Sequence, residues 1–191
     1  MKRCSRRTAA VATIALLAGT WSPATLAQTS VAKTDIARGK YLVAFGGCGD
    51  CHTPKVMTPN GPVPDETRLL SGYPAQNPIP AVPPDALGMG PARWGAMTTN
   101  DLTAWVGPWG ISFAMNLTPD KNTGLGNWSA SDFVKTMRTG KHLGAGRPLL
   151  PPMPWYDVAV LTDRDIKAIF AYLRSIKPID NAVPAPIPPK K

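Results

Sequence analysis

Within nine residues, GGCGDCHTP at positions 46–54, the chain sets Cys48, Cys51 and His52 on what can be a single turn of backbone. No other segment constrains the fold as much, because the two thiols must be paired, ligated or consumed and the rest of the chain arranged around them. The third cysteine, Cys4, lies in an N-terminal stretch of different character. There Lys2, Arg3, Arg6 and Arg7 precede an apolar run, and Thr25 and Ala27 supply the small residues of a cleavage site before Gln28. Residues 1–27 read as a secretory signal peptide that removes Cys4, before which no lipid-attachment pattern stands. The pair Arg6-Arg7 raises twin-arginine export, but TAAVAT after it lacks the bulky residue such signals carry, and ordinary export of the unfolded chain is preferred. The run approaches the roughly 20 residues that span a bilayer; Ser22, Pro23 and its threonines weaken it as an uncleaved anchor. No later segment is long and apolar enough to cross a membrane. The expectation is a soluble mature chain outside the cytoplasm whose only cysteines are Cys48 and Cys51.

Loss of the leader leaves 17 basic residues against 12 acidic ones, so a formal charge of +9 falls to near +5. That is enough to steer the chain toward an acidic partner surface. No run of Lys or Arg interleaved with aromatics argues for nucleic acid, and Lys190 and Lys191 read as a solvated tail.

The segment TDIARGKYLVAF reads as a short helix capped by Thr34 or Asp35 and stopped by Gly46 and Gly47, with Gly39 inside it at a cost of about 1 kcal/mol relative to Ala. That glycine marks either tolerated weakness or a point where another helix comes close. Residues 54–110 carry eleven prolines and read as mostly loop and turn. Such a stretch is too long for a bare linker in a compact domain; Trp94, Trp105 and Trp109 are expected to pin it, chiefly by filling a satellite core. Order resumes where Ser129 and Asp132 form a capping pair, Phe133, Val134 and Met137 a buried stripe, and Gly140 an end. A stronger helix follows, with Thr162 and Asp165 as capping pair, Pro178 as the stop, and Ile166, Ile169, Phe170 and Leu173 along one face. The tail NAVPAPIPPKK reads as an extended polyproline arm.

Three chemistries compete for the cysteine motif. A thioredoxin-like disulfide needs a βαβ setting, yet here the motif follows a helix and no parallel strands are visible. A structural zinc site needs four ligands; His142 could be the fourth, but adjacent Cys51 and His52 would crowd a tetrahedron. The spacing C-x-x-C-H fits covalent haem attachment: two thiols three residues apart can add to the two vinyl groups on one porphyrin edge, and the next histidine turns under the ring to the iron. For the opposite iron face Met153 in LLPPMPWYD is the best candidate, since flanking prolines fix its backbone. Met57, Met89, Met97, Met115 and Met137 compete; Met137 is already explained by its helix stripe, and His142 reads as a surface or hydrogen-bonding histidine.

With these motifs the chain resembles the class I c-type cytochromes, in particular the monohaem domains found alone or as electron-accepting subunits of bacterial periplasmic dehydrogenases. The matching stretches are ARGKYLVAFGGCGDCHTP, NLTPDKNTGLGNWSASDFVKTMRTGKH, RPLLPPMPWYD and LTDRDIKAIFAYLRSIKPI. The resemblance implies an all-α fold, the class I cytochrome c fold around one covalent haem c, in which the helices at 35–46 and 162–175 cross near the haem. It implies a cytochrome domain over residues 28–179, a long Pro- and Trp-rich insertion at about 56–110, and a Pro-rich tail at 180–191. It also implies Cys48 and Cys51 as haem anchors, His52 as proximal ligand and Met153 as distal ligand. Asn116, Trp128, Arg147 and Tyr156 flank the matched motifs and are candidates for haem-propionate or loop hydrogen bonds.

The expected role is that of a one-electron carrier and not a catalyst, taking electrons from a dehydrogenase, to which it could be permanently docked, and passing them to a cytochrome or oxidase of the respiratory chain. The competing reading is a haem protein with an open sixth position, acting in gas sensing or peroxide chemistry. N-terminal sequencing of the chain exported by a bacterial host should begin at Gln28; a first residue upstream of the apolar run would show that the leader is retained.

Overall fold

Both capping pairs form. In the computed structural model, which describes residues 23–83, 85–88, 90 and 93–189, with side chains of the first helix from residue 33 onward, Ser129 Oγ accepts from the Asp132 amide at 3.1 Å and the Asp132 carboxylate accepts from the Ser129 amide in return. Thr162 Oγ1 accepts from the Asp165 amide at 3.1 Å. These bonds satisfy first-turn amides that would otherwise be orphaned and start helices α3 (Ala130–Thr139) and α5 (Asp163–Ser175) where the sequence reading places them. Residues 1–22 of the expected signal peptide lie outside the described residues, as do Lys190 and Lys191.

Helix α1 (Pro23–Phe45) begins well before the expected cap at Thr34 or Asp35. Nothing between Pro23 and Thr34 breaks a helix, and proline suits a first helical position, where its missing N–H costs nothing. The helix stops as anticipated: the Gly46 amide reaches Leu42 O at 2.8 Å, and Gly47 takes the left-handed conformation (φ 62°) that a side chain would resist. The five-residue helix α2 (Cys48–His52) follows at once.

Helices α1 and α5 cross at Gly39, where a Cβ would overlap the backbone carbonyl of Ala168 and come within 2.9 Å of the Tyr172 Cβ. The helical penalty of glycine is therefore exchanged for close backbone contact. Around this crossing Leu42, Val43, Phe133, Met137, Ile166, Ile169, Phe170 and Leu173 form the main core, and Phe133 and Phe170 tilt against one another at 5.3 Å. All four residues of the α5 stripe are buried, as the periodicity requires. Arg38 pairs with Asp165 at 2.9 Å across the crossing, and Arg138 of α3 with Asp163 at 2.5 Å; both pairs are solvent-facing and secondary to the apolar contact.

The all-α expectation is overturned. Among the described residues there are five helices, with the short α4 (Trp155–Ala159) lying between α3 and α5 in the chain, and two small antiparallel sheets, a mixed α/β fold. One sheet pairs β1 (Lys55–Thr58) with β2 (Gly61–Pro64); the other has the order β3 (Met97–Thr98), β4 (Ala104–Gly107), β5 (Gly110–Phe113). The prolines that read as breakers do not prevent strands here. Pro62 and Pro64 occupy alternate positions of β2, opposite Met57 and Lys55, so their missing N–H groups fall on the side away from β1. Two-residue turns, Pro59-Asn60 and Pro108-Trp109, close the two hairpins.

The satellite core is made by Tyr73, Ala104 and Phe113, with Tyr73 and Phe113 at 4.8 Å, and not by the tryptophans. Trp94 is 71% exposed, Trp105 donates to Leu102 O at 2.8 Å, and Trp109 donates to Ser112 Oγ at 3.2 Å. The tail is extended but anchored. Buried Asn181 donates to Ser71 O at 2.7 Å and Tyr73 O at 2.8 Å and accepts from the Ala75 amide at 3.0 Å, while Ile187 bridges to Ile111 on β5. No helix among the described residues is long and apolar enough to cross a membrane.

Gly39→Ala is expected to destabilise the protein by about 1–3 kcal/mol through overpacking, although the same change gains ~1 kcal/mol in an open helix. Thermal unfolding of the variant beside the wild type checks this, and an unchanged or raised Tm would show that α1 and α5 can separate freely.

Candidate functional site

The site begins with the bend that α2 makes out of α1. Left-handed Gly47 turns the chain, the Asp50 amide bonds Gly47 O at 2.9 Å and the Thr53 amide bonds Gly49 O at 3.1 Å, so Cys48 and Cys51 lie on one turn with His52 at its end. Both cysteines are free and half-buried. Burial pushes the Cys48 and Cys51 thiols up from their ordinary range, with Lys55 and Trp105 pulling partly the other way at Cys51. The thiols are therefore protonated at neutral pH.

His52 is buried, and its Nδ1 lies 2.8 Å from the backbone oxygen of Met115. A carbonyl can only accept, so Nδ1 carries the proton and Nε2 keeps a free lone pair. Burial lowers the pKa of the ring and keeps it neutral. The Met115 carbonyl is delivered by two laced segments: the Gly72 amide bonds His52 O at 2.8 Å, the Tyr73 amide Ala114 O at 2.9 Å, and the Leu117 amide Leu70 O at 2.9 Å. Leu70 takes a left-handed conformation (φ 59°) unusual for leucine, held by these bonds and by its own amide on Thr53 Oγ1 at 3.0 Å.

Met153 closes the turn from Leu150, its amide on Leu150 O at 3.2 Å, and Ser112 Oγ of β5 donates to Pro151 O at 2.6 Å to fix that turn. Met153, Cys48 and Trp128 are partly buried, and all three pack on the main core. The other methionines have different settings: Met57 is 63% exposed, Met137 is buried in the core, Met97 lies on β3, and Met89 is outside the described residues.

The flanking candidates are spread out. Asn116 is fully buried, and its side chain is spent on Thr118, Thr123 and the Ile179 carbonyl. Trp128 meets His142 edge-on at 5.0 Å. Tyr156 is 60% exposed. Arg147 is exposed and lines a groove of about 630 Å³ with Met115, Leu150 and the tail residues Val183 and Pro186. Among the described residues, no cluster of three or more His, Cys, Asp or Glu side chains could hold a metal ion by itself.

Two contributors were not legible in advance. The Met115 carbonyl is a backbone group 63 residues from His52, which leaves no mark in a sequence pattern. Lys55 reaches the carbonyl oxygens of Gly49, Asp50 and Thr53; a lysine three residues after the motif marks its place in the sequence, but the oxygens that gather it are backbone atoms.

No family model matches the chain. It is 30% identical over 180 residues to the gluconate 2-dehydrogenase cytochrome c subunit of Pantoea cypripedii, an alignment covering 91% of this chain and 32% of that one. It is 30% identical over 179 residues to the fructose dehydrogenase cytochrome subunit of Gluconobacter japonicus, covering 92% and 29%. Over 73 residues it is 37% identical to the cytochrome c subunit of a quinone alcohol dehydrogenase of Gluconobacter oxydans, covering 38% and 15%. The chain thus spans about a third of the length of the first two relatives.

Proposed function

We propose that this chain, a homologue of the cytochrome c subunits of bacterial dehydrogenases, is a periplasmic one-electron carrier that binds one haem c through Cys48, Cys51, His52 and Met153. The observation that carries the reading is the state of His52: its Nδ1 is committed to Met115 O, which leaves Nε2 as the one basic lone pair of a neutral, buried ring. The donor set fits the group. Two unpaired thiols on one turn can each form a thioether, one imidazole nitrogen is free, and a thioether sulfur sits on the core that also receives Cys48. Bound there, haem supplies one-electron chemistry between ferric and ferrous iron.

The chain's own contributions follow from its geometry. Met115 O fixes the orientation of the imidazole and raises its basicity, as outer partners of metal-ligating histidines do. The Met153 turn, held by Ser112, presents a soft sulfur that favours the reduced state, and the apolar core around it adds to that preference. Arg147 on the groove is the cation available to a carboxylate. The names of the relatives support a dehydrogenase as redox partner; electrons arrive from it and leave to a cytochrome or oxidase.

The purified wild-type protein should retain haem through denaturation and give the alkaline pyridine spectrum of a twice-thioether-linked haem, and Cys48→Ser together with Cys51→Ser should abolish retention. Met153→Ala should remove the thioether-to-iron charge-transfer band of the ferric protein and lower the ferrous-to-ferric ratio at fixed potential at least tenfold, about 59 mV for one electron. A variant that kept the band would refute the Met153 assignment. Rapid carbon monoxide binding by the reduced wild type would replace the carrier by a haem protein with an open position.

A further inference from the structure

Lys55, the first residue of β1, has no part in the ligand set, yet its ammonium group is turned back onto the cysteine motif. Its Nζ lies 2.5 Å from Asp50 O, 2.7 Å from Thr53 O and 3.3 Å from Gly49 O, with Asp101 O at 3.4 Å on the far side. Three of the four oxygens belong to the turn carrying Cys51 and His52, and Asp50 and Thr53 flank that pair. The fourth belongs to the loop before β4, where the Asp101 carboxylate is itself engaged by Thr99 and Thr103. The ammonium thus ties the motif to the second sheet.

We propose that Lys55 is a positioning residue of the Cys48–His52 turn, whose fixed positive charge beside Cys51 and His52 favours the reduced state of the bound haem. The proposal rests on the haem reading above. Two physical arguments support it. The last carbonyls of a short helix carry partial negative charge, which a cation at that end neutralises; here the ammonium takes Asp50 O and Thr53 O and shares Gly49 O with the Thr53 amide. Lys55 is only partly exposed, so its charge is less screened than that of a surface lysine, and it is held against the carbonyls of Asp50 and Thr53, the residues that flank Cys51 and His52. Oxidation of iron adds one positive charge to the group those residues hold, so a neighbouring cation disfavours the ferric state. A lysine suits the place because a compact ammonium can share its three N–H donors among crowded oxygens.

The test is equilibrium redox titration of the haem-loaded full chain as wild type, Lys55→Gln, Lys55→Met and Lys55→Arg, with Lys167→Gln on the exposed side of α5 as a control for net charge. Both neutral variants should lower the ferrous-to-ferric ratio at fixed potential at least threefold, about 28 mV for one electron. Arg should stay nearer the wild type than either, and Lys167→Gln should leave the ratio unmoved. Gln and Met variants indistinguishable from the wild type would overturn the inference, as would an Arg variant that falls as far as Gln, since its charge is kept. If Lys55→Met does not retain haem, Gln and Arg, which can still donate to the carbonyls, carry the comparison. Loss of haem from all three would overturn the charge role. A wild type without covalent haem would refute the proposed function itself, whereas a loaded wild type with unmoved variants refutes only the role of Lys55.

Discussion

A single hydrogen bond, from His52 Nδ1 to the backbone oxygen of Met115 at 2.8 Å, sets the requirement that the rest of the chain meets. It joins the end of α2 to a segment 63 residues away, and a bond to a particular carbonyl tolerates little displacement. The segment from Leu70 to Tyr73 is laced to His52 on one side and to Ala114 and Leu117 on the other, which places Met115 at the imidazole. Thr53, Leu70 and Tyr73, all nearly inaccessible to solvent, surround that lacing. The excursion between the motif and Met115 is therefore the scaffold of the histidine.

Two kinds of cohesion hold this arrangement. On the helical side, α1, α3 and α5 bury aliphatic and aromatic side chains around the Gly39 crossing, each full burial contributing roughly 1.5–3 kcal/mol. On the sheet side the apolar cluster is small, and buried asparagines carry much of the connection. Asn181 makes three side-chain bonds to segment 71–75, and Asn116 ties 118, 123 and 179 together. A buried bond contributes only about 0.5–1.5 kcal/mol net, but a buried partner left unmatched costs about 1–3 kcal/mol. These asparagines thus secure the geometry of the loops more than they add to total stability.

What the sequence shows is local, and what it conceals is distant. Ser129 with Asp132, Thr162 with Asp165, and the stripe from Ile166 to Leu173 can be read directly, because cap and period both act within one or two helical turns. The interpretation of Gly39 needed the partner helix, but the residue itself marked the crossing. The two sheets escaped because their strands are two to four residues long and β2 alternates proline with other residues, a pattern that resembles a loop unless the unused edge is considered. The C-x-x-C-H spacing is legible as chemistry, whereas the oxygen that orients His52 and the carbonyls that gather Lys55 are backbone atoms, common to every residue and visible only once the chain is folded.

The anchored tail bears on the order in which the protein can be completed. Asn181 bonds residues 106–110 positions earlier, and Ile187 pairs with Ile111, so this wall of the groove depends on contacts distant in sequence. Such contacts must overcome loop-closure entropy, as must the α1–α5 crossing, where Arg38 meets Asp165, 127 positions later in the chain. The Cys48–His52 turn and its helix, made from neighbours in sequence, are in place earlier. The Cys48–His52 turn can thus form while the side of the groove lined by Val183 and Pro186 is still open, and the tail closes that side.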